Sequence, residues 1–137
     1  MTSAVIFISE ISSDSRLWAG RVFSGILTMF MVFDTVMKFL RPPEAIKGTA
    51  DLGWPMSVVL PHGFVCAVML VLYLIPRTAV LAAVLFAGYL GGAVAADVRI
   101  GNPLFSHTLL PVYVAMFMWR GLCLLNRRVS EMLGVVR

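Results

Sequence analysis

The sequence predicts an all-α integral membrane protein, an antiparallel four-helix bundle with a short interfacial helix in its first connection. Of its 137 residues, 60% are hydrophobic and only 13% are charged, whereas a soluble domain is ~25% charged. Four apolar segments follow one another along the chain, and the last two connections between them are short. Short connections place consecutive helices side by side and antiparallel.

Each apolar segment is long enough to cross a bilayer as a helix, because about twenty helical residues span a ~30 Å hydrocarbon core. The third segment has nineteen uncharged residues between Arg77 and Asp97 and is rich in Gly and Ala, a composition that favours close helix packing. We predict the four segments at approximately residues 18–40, 56–75, 78–96 and 103–125.

The first connection, residues 41–55, is longer than the others and contains helix signals of its own. Pro43 followed by Glu44 suits the start of a helix, and Gly53 suits its end. We therefore expect a short helix at the membrane surface, with Trp54 at the level of the lipid headgroups.

The two ends of the chain are predicted to be tails. The first fifteen residues lack the basic start and the long apolar run of a signal peptide. The predicted division is an N-terminal tail over 1–15, a single transmembrane domain over 16–128 and a C-terminal tail over 129–137.

The orientation follows from the distribution of positive charge, since cytoplasmic loops carry an excess of Lys and Arg. The side with both termini has seven such residues and the opposite side has four, so we expect both termini in the cytoplasm. The net charge of +4 is scattered among apolar segments, which argues against a nucleic-acid partner. The inner set is Arg16, Arg21, Arg77, Arg120, Arg127, Arg128 and Arg137, and the outer set is Lys38, Arg41, Lys47 and Arg99.

In this arrangement most polar residues of the helices fall in the outer half of the bundle, which predicts a ligand pocket or a structural clasp there. Asp34 and Lys38 have the spacing of an ion pair within one helix, and Lys38 could simply extend to the interface. The side chain of Asp34 is too short to reach the interface. The candidate ligand-binding residues are Asp34, Lys38, His62, Cys66, Tyr89, Asp97, Arg99 and His107.

Helical phase separates two faces of the third segment. One carries Gly88, Gly92 and Arg99, and the adjoining face carries Tyr89 and Asp97. We expect a neighbouring helix to approach the glycine face, which would bring Arg99 within reach of a carboxylate of the outer half. Alternatively, the two charges that end this segment are ordinary interfacial residues.

Two histidines on different segments, His62 and His107, could in principle hold a haem, but residues near helix starts are more often interfacial, and we predict no metal site. Cys66 and Cys123 fall in opposite halves of the membrane, too far apart for a disulfide. The sequence contains no Cys-x-x-Cys, Walker loop, His-Glu-x-x-His or Gly-x-Ser-x-Gly motif.

Several short motifs resemble the DoxX-like family of small four-helix membrane proteins. They are Phe33-Asp-Thr-Val-Met-Lys38, Pro42-Pro-Glu44, Leu52-Gly-Trp-Pro55, Leu72-Tyr-Leu-Ile-Pro-Arg-Thr-Ala79, Gly88-Tyr-Leu-Gly-Gly-Ala-Val94 and Val98-Arg99, with Trp119 near the end. The chain departs from the family pattern at Cys66, where a Glu is usual, at Ala87, where Thr is usual, and at Ala96-Asp97, often Thr-His. The resemblance implies a bacterial-type cytoplasmic (inner) membrane and a quinone or redox environment.

Two hypotheses of function remain open. In the first, the chain is an accessory subunit of a membrane redox system and binds a quinone or another lipid-soluble molecule in the outer pocket. In the second, it is a small membrane enzyme, of isomerase or hydrolase type, acting on an apolar substrate. Asp34 or Asp97 would then be the base, Arg99 the anion stabiliser, and His62 or Tyr89 the acid. Partners would be the lipid bilayer, the small molecule, and a redox enzyme or a second copy.

Overall fold

The computed structural model describes the backbone of residues 2–135 and the side chains of residues 14–135. A 3-10 turn at Met56–Val58 precedes α3, and a π-helical turn at Leu104–Thr108 precedes α5. The described residues contain no strand, and the all-α prediction is confirmed. The helices are α1 Thr2–Leu40, α2 Pro43–Asp51, α3 Val59–Leu74, α4 Ala79–Ile100, α5 Leu110–Leu125 and α6 Arg127–Met132.

Helices α1, α3, α4 and α5 form the predicted bundle. The first packs against α3 and α5, and α4 packs against the same two, so the four helices close a ring. We call the end of the bundle that carries α2 the α2 end, and the opposite end, with α6, the termini end. Four stretches are long and apolar enough to cross a membrane, with mean hydropathies of 1.5, 2.1, 2.0 and 1.6: Asp14–Leu40, Met56–Leu74, Ala79–Ile100 and Leu104–Leu125.

Two helices extend beyond the predicted segments. The backbone of α1 is helical back to Thr2, so the segment predicted as an N-terminal tail continues α1. Helix α4 continues past Ala96 to Ile100 and ends where Gly101 adopts a φ of 73°. There the amide of Asn102 donates to the carbonyl of Asp97, a Schellman ending. Asp97 therefore lies inside α4. The division of the chain into tails and domain stays a prediction.

Helix α2 lies in the first connection, as predicted, and none of its residues is buried. Proline at its first position fits the helix start, because a proline nitrogen has no hydrogen to leave unpaired there. Its position at a membrane surface stays a prediction.

Buried apolar side chains fill the middle of the bundle. We call this set the apolar layer. Along their helices, its residues lie between the polar residues of the two ends of the bundle. Large apolar side chains also cover the outside of the bundle, as a lipid-facing surface requires. The apolar layer consists of the buried residues Leu27, Met31, Met69, Leu70, Phe86 and Met118.

Glycines let the helices approach one another, but not where we expected. A Cβ at Gly63 would lie 3.1 Å from the Cβ of Lys38, so this glycine sets the distance between α3 and α1. Around Gly88 and Gly92 nothing lies within 4 Å of such an atom. The expectation that a neighbouring helix of the chain packs on this α4 face is therefore wrong. Composition revealed the small residues but could not show which way they face.

Candidate functional site

An ion pair within α1 is the starting point of the site. The Lys38 ammonium donates to the Asp34 carboxylate, as the four-residue spacing allows. The side chain of Asp34 is 35% exposed and that of Lys38 is 20% exposed. Asp34 lies six residues from the end of α1, about 9 Å along the helix. A carboxylate at that depth needs a partner, and Lys38 supplies it.

Helices α3 and α4 add a thiol and a phenol to this pair. The Cys66 sulfur is fully buried and lies 4.0 Å from Oδ2 of Asp34. The Tyr89 hydroxyl lies near the same thiol. Three helices thus bring four polar side chains together in the α2 half of the bundle. Such a concentration is costly in a membrane and marks a candidate functional site.

His62 extends the group towards the α2 end. Its Nδ1 lies 2.7 Å from the Val58 carbonyl oxygen, which can only accept a hydrogen bond, so Nδ1 carries the hydrogen. Its ring centroid lies 6.0 Å from that of Tyr89 and 5.7 Å from that of Trp54. We call the resulting set the polar cluster: Asp34, Lys38, His62, Cys66 and Tyr89.

The remaining three predicted site residues make their hydrogen bonds elsewhere. Asp97 is buried and accepts from the side-chain amide of Asn102. Arg99 donates to the carbonyl of Leu52, 2.9 Å away, and not to a carboxylate of the described residues. The exposed His107 contacts Ser106. The two histidines proposed as haem ligands therefore have separate environments.

Replacing Asp97 by Ala is expected to destabilise the end of α4 and to spare the polar cluster. The Asn102 amide would lose its acceptor, which costs about 1–2 kcal/mol of unfolding free energy. Denaturant unfolding followed by circular dichroism measures the loss. Asp51→Ala, an exposed carboxylate at the end of α2, is the matched control and should change stability by less than about 0.5 kcal/mol. Equal losses in the two variants would contradict the structural role of Asp97.

The structure also contains polar features that the sequence did not reveal. In the termini half, the Ser24 and Tyr73 hydroxyls lie 3.2 Å apart, across the interface of α1 and α3. The hydroxyl of buried Thr35 has no hydrogen-bond partner among the described residues. Ser, Thr and Tyr are common in transmembrane helices, so spacing alone gave no signal for either feature.

The fold and the exposed apolar surface define a multi-pass membrane protein. The model of the DoxX-like family matches residues 22–121, and the chain belongs to that family. The matched range includes every residue of the polar cluster. No curated protein and no solved structure matches the chain.

Proposed function

We propose that this DoxX-like protein binds a quinone, or another lipid-soluble molecule with a polar head, at the polar cluster. In this proposal it is an accessory subunit of a redox system in a bacterial-type cytoplasmic membrane, with both termini in the cytoplasm. The observation that carries the proposal is the meeting of polar side chains from three helices. The Cys66 sulfur lies 4.0 Å from the Asp34 carboxylate, and the Tyr89 hydroxyl lies near that sulfur. Polar groups so placed inside a bundle favour a ligand-binding role.

The chemistry of the cluster suits a quinone head in both of its redox states. The carbonyl oxygens of the oxidised ring accept hydrogen bonds, which the Lys38 ammonium and the Tyr89 hydroxyl can donate. The hydroxyls of the reduced ring can donate to the Asp34 carboxylate. The hydroxyl of Thr35, the residue after Asp34, is buried and has no partner in the part of the chain that the structure describes, which favours an additional polar group in the bound state.

Apolar surface for a hydrocarbon tail adjoins the same region. Phe39 of α1 and Phe64 of α3 pack edge to face, with ring centroids 5.1 Å apart. Both flank the close approach of Gly63 to Lys38. A lipid-soluble molecule could therefore place its head at the ion pair and its tail along aromatic side chains.

An acid/base enzyme is the second candidate function. It is favoured by the juxtaposition of a carboxylate, a thiol and a phenol, with an imidazole beside the phenol. Asp34 would remove a proton from the substrate, and Tyr89 or His62 would return one. Arg99 fits the role of anion stabiliser less well, because its guanidinium is bound to the Leu52 carbonyl.

Identification of co-purifying molecules tests the proposal. The protein is extracted with its surrounding lipid and purified, and the small molecules in its organic extract are identified by mass spectrometry. We expect a quinone enriched over the total membrane extract in the wild type and in Gly92→Ala, a control with open space around the new methyl group. Tyr89→Phe and Asp34→Asn should lose the enrichment, because each removes a polar contact of the head.

Absence of any enriched molecule from the wild type would contradict binding. If the enriched molecule is instead converted by the wild type and not by Asp34→Asn, the enzyme hypothesis is correct. Gel filtration of each variant shows whether it remains folded and monodisperse.

A further inference from the structure

The segment Leu52–Trp54 lies at the α2 end of the bundle, where Trp54 packs against His62 of the polar cluster. We propose that it is a strap, fastened by Arg99, that controls aqueous access to the cluster. The inference rests on the proposed function only in that the cluster is the site to which access is controlled. It concerns a different part of the chain, since no residue of the strap belongs to the cluster.

Arg99 fastens the strap from the last turn of α4. Its Nη2 donates to the Leu52 carbonyl oxygen at 2.9 Å. The guanidinium also packs directly on the next residue, because a Cβ at Gly53 would lie 2.9 Å from the same nitrogen. Gly53 has a φ of 76°, a conformation that side chains with a Cβ rarely adopt. The hydrogen bond to the Leu52 carbonyl and the contact with Gly53 therefore depend on the guanidinium of Arg99 and on a glycine at position 53.

Trp54 is the part of the strap that contacts the cluster. Its ring packs at a steep angle against the His62 ring, and His62 in turn packs against Tyr89. Tyr89 contacts Cys66, which lies beside Asp34. The order of contacts from the α2 end inward is therefore Trp54, His62, Tyr89, Cys66 and Asp34.

The strap is bonded to α2, because the amides of Leu52, Gly53 and Trp54 donate to α2 carbonyls, but this unit is not buried in the bundle. Neither α2 nor the 3-10 turn Met56–Val58 contains a buried residue. Segments with few buried contacts open at low cost compared with the global unfolding of a protein. The bond from Arg99 thus ties the strap, together with α2, to α4. Arg99 is a positioning residue that acts through Trp54 rather than on a ligand.

Two probes measure the opening of the strap without any ligand. The first probe uses the Cys123→Ser protein, which retains Cys66 as its single cysteine, in lipid nanodiscs. It is treated with a charged methanethiosulfonate reagent, and the rate of Cys66 modification is followed by mass spectrometry. In a second protein Trp18 and Trp119 are replaced by Phe, and quenching of Trp54 fluorescence by iodide is measured.

Arg99→Ala should raise the rate of Cys66 modification about tenfold. Loss of one charge-assisted hydrogen bond shifts the equilibrium between the closed and the open strap by about this factor. Quenching of Trp54 should rise in parallel. Gly53→Ala should act in the same direction, because the new methyl group displaces the guanidinium. Arg99→Lys, which keeps a donor, should restore much of the protection. Arg77→Ala, a loss of the same charge at the other end of α4, should change neither quantity.

Unchanged rates in both Arg99→Ala and Gly53→Ala would overturn the proposal. So would an equal rise of quenching at Trp119, in a protein with that tryptophan alone, because the whole bundle would then have loosened. If the strap proposal is wrong, the proposal of ligand binding at the cluster is unaffected. If no ligand binds, the rate of Cys66 modification and the quenching of Trp54 still test the strap.

Discussion

Replacing Lys38 by Met is expected to destabilise the protein by about 2–3 kcal/mol, because it leaves the Asp34 carboxylate unpaired at membrane depth. Asp34 cannot reach the interface, being six residues from the end of α1 and short. Asp34→Asn should cost less, since Lys38 lies two residues from that end and its long side chain can extend to the interface. Denaturant unfolding in lipid nanodiscs, followed by circular dichroism, measures both.

The double variant Asp34→Asn/Lys38→Met is the decisive control. With both charges removed, its unfolding free energy should return to within about 1 kcal/mol of the wild type, because no unpaired charge remains. A double variant as unstable as Lys38→Met alone would show that the pair does not act by charge compensation.

The same double variant distinguishes a structural clasp from a binding site. If the pair is only a clasp, the stable double variant keeps its co-purifying molecule. If it belongs to a binding site, the molecule is lost from a protein that remains stable.

Replacing Gly121 by Val is expected to cost about 3 kcal/mol or to prevent folding, because α1 leaves no room for a side chain there. A Cβ on Gly121 would lie 2.6 Å from the Ser24 hydroxyl oxygen and 3.2 Å from the Ser24 backbone nitrogen. The hydroxyl could rotate away and lose its contact with Tyr73, but the backbone could move only with the helix. Thermal unfolding of the reconstituted protein measures the effect.

Gly92→Val is the matched control for Gly121→Val. It makes the same chemical change on α4, where nothing lies within 4 Å of the new Cβ, so its effect should stay within about 0.5 kcal/mol. Adding Ser24→Ala to Gly121→Val should recover only part of the loss, because the contact with the backbone nitrogen remains. Similar losses for the two glycines would contradict the prediction, because the effect would then not depend on the contact of α1 with α5.

The four spans could be predicted from the sequence because hydropathy and length are properties of single segments. The core of the polar cluster could be predicted as well: an antiparallel order puts the end of α1 beside the start of α3, which brings Asp34 to Cys66. Helical phase placed Tyr89 beside the glycine face but grouped it with Asp97, which lies outside the cluster. These inferences needed only topology and helix geometry.

The positions of Arg99 and Asp97 could not be derived in this way. Both lie in the last turns of α4, where the partner of a side chain depends on the loop conformation. The left-handed Gly101 brings Asn102 to Asp97, and the conformation of Gly53 brings the Leu52 carbonyl to Arg99. Likewise, a transmembrane helix is apolar on all sides, so no pattern of polar residues showed that Gly88 and Gly92 face outward.

The apolar layer has an electrical consequence. Because it places buried apolar side chains between the cluster and the termini end, we expect protons for Asp34 or for a bound molecule to exchange with the α2 end. Asp34 lies about 9 Å from that end, roughly a third of the ~30 Å core. At a membrane potential of 100 mV, moving one elementary charge from the α2 end to Asp34 would change its energy by only ~0.8 kcal/mol. This is a third of the ~2.3 kcal/mol for a full crossing. Redox chemistry at this site would therefore respond to the pH of one compartment and would hardly be electrogenic.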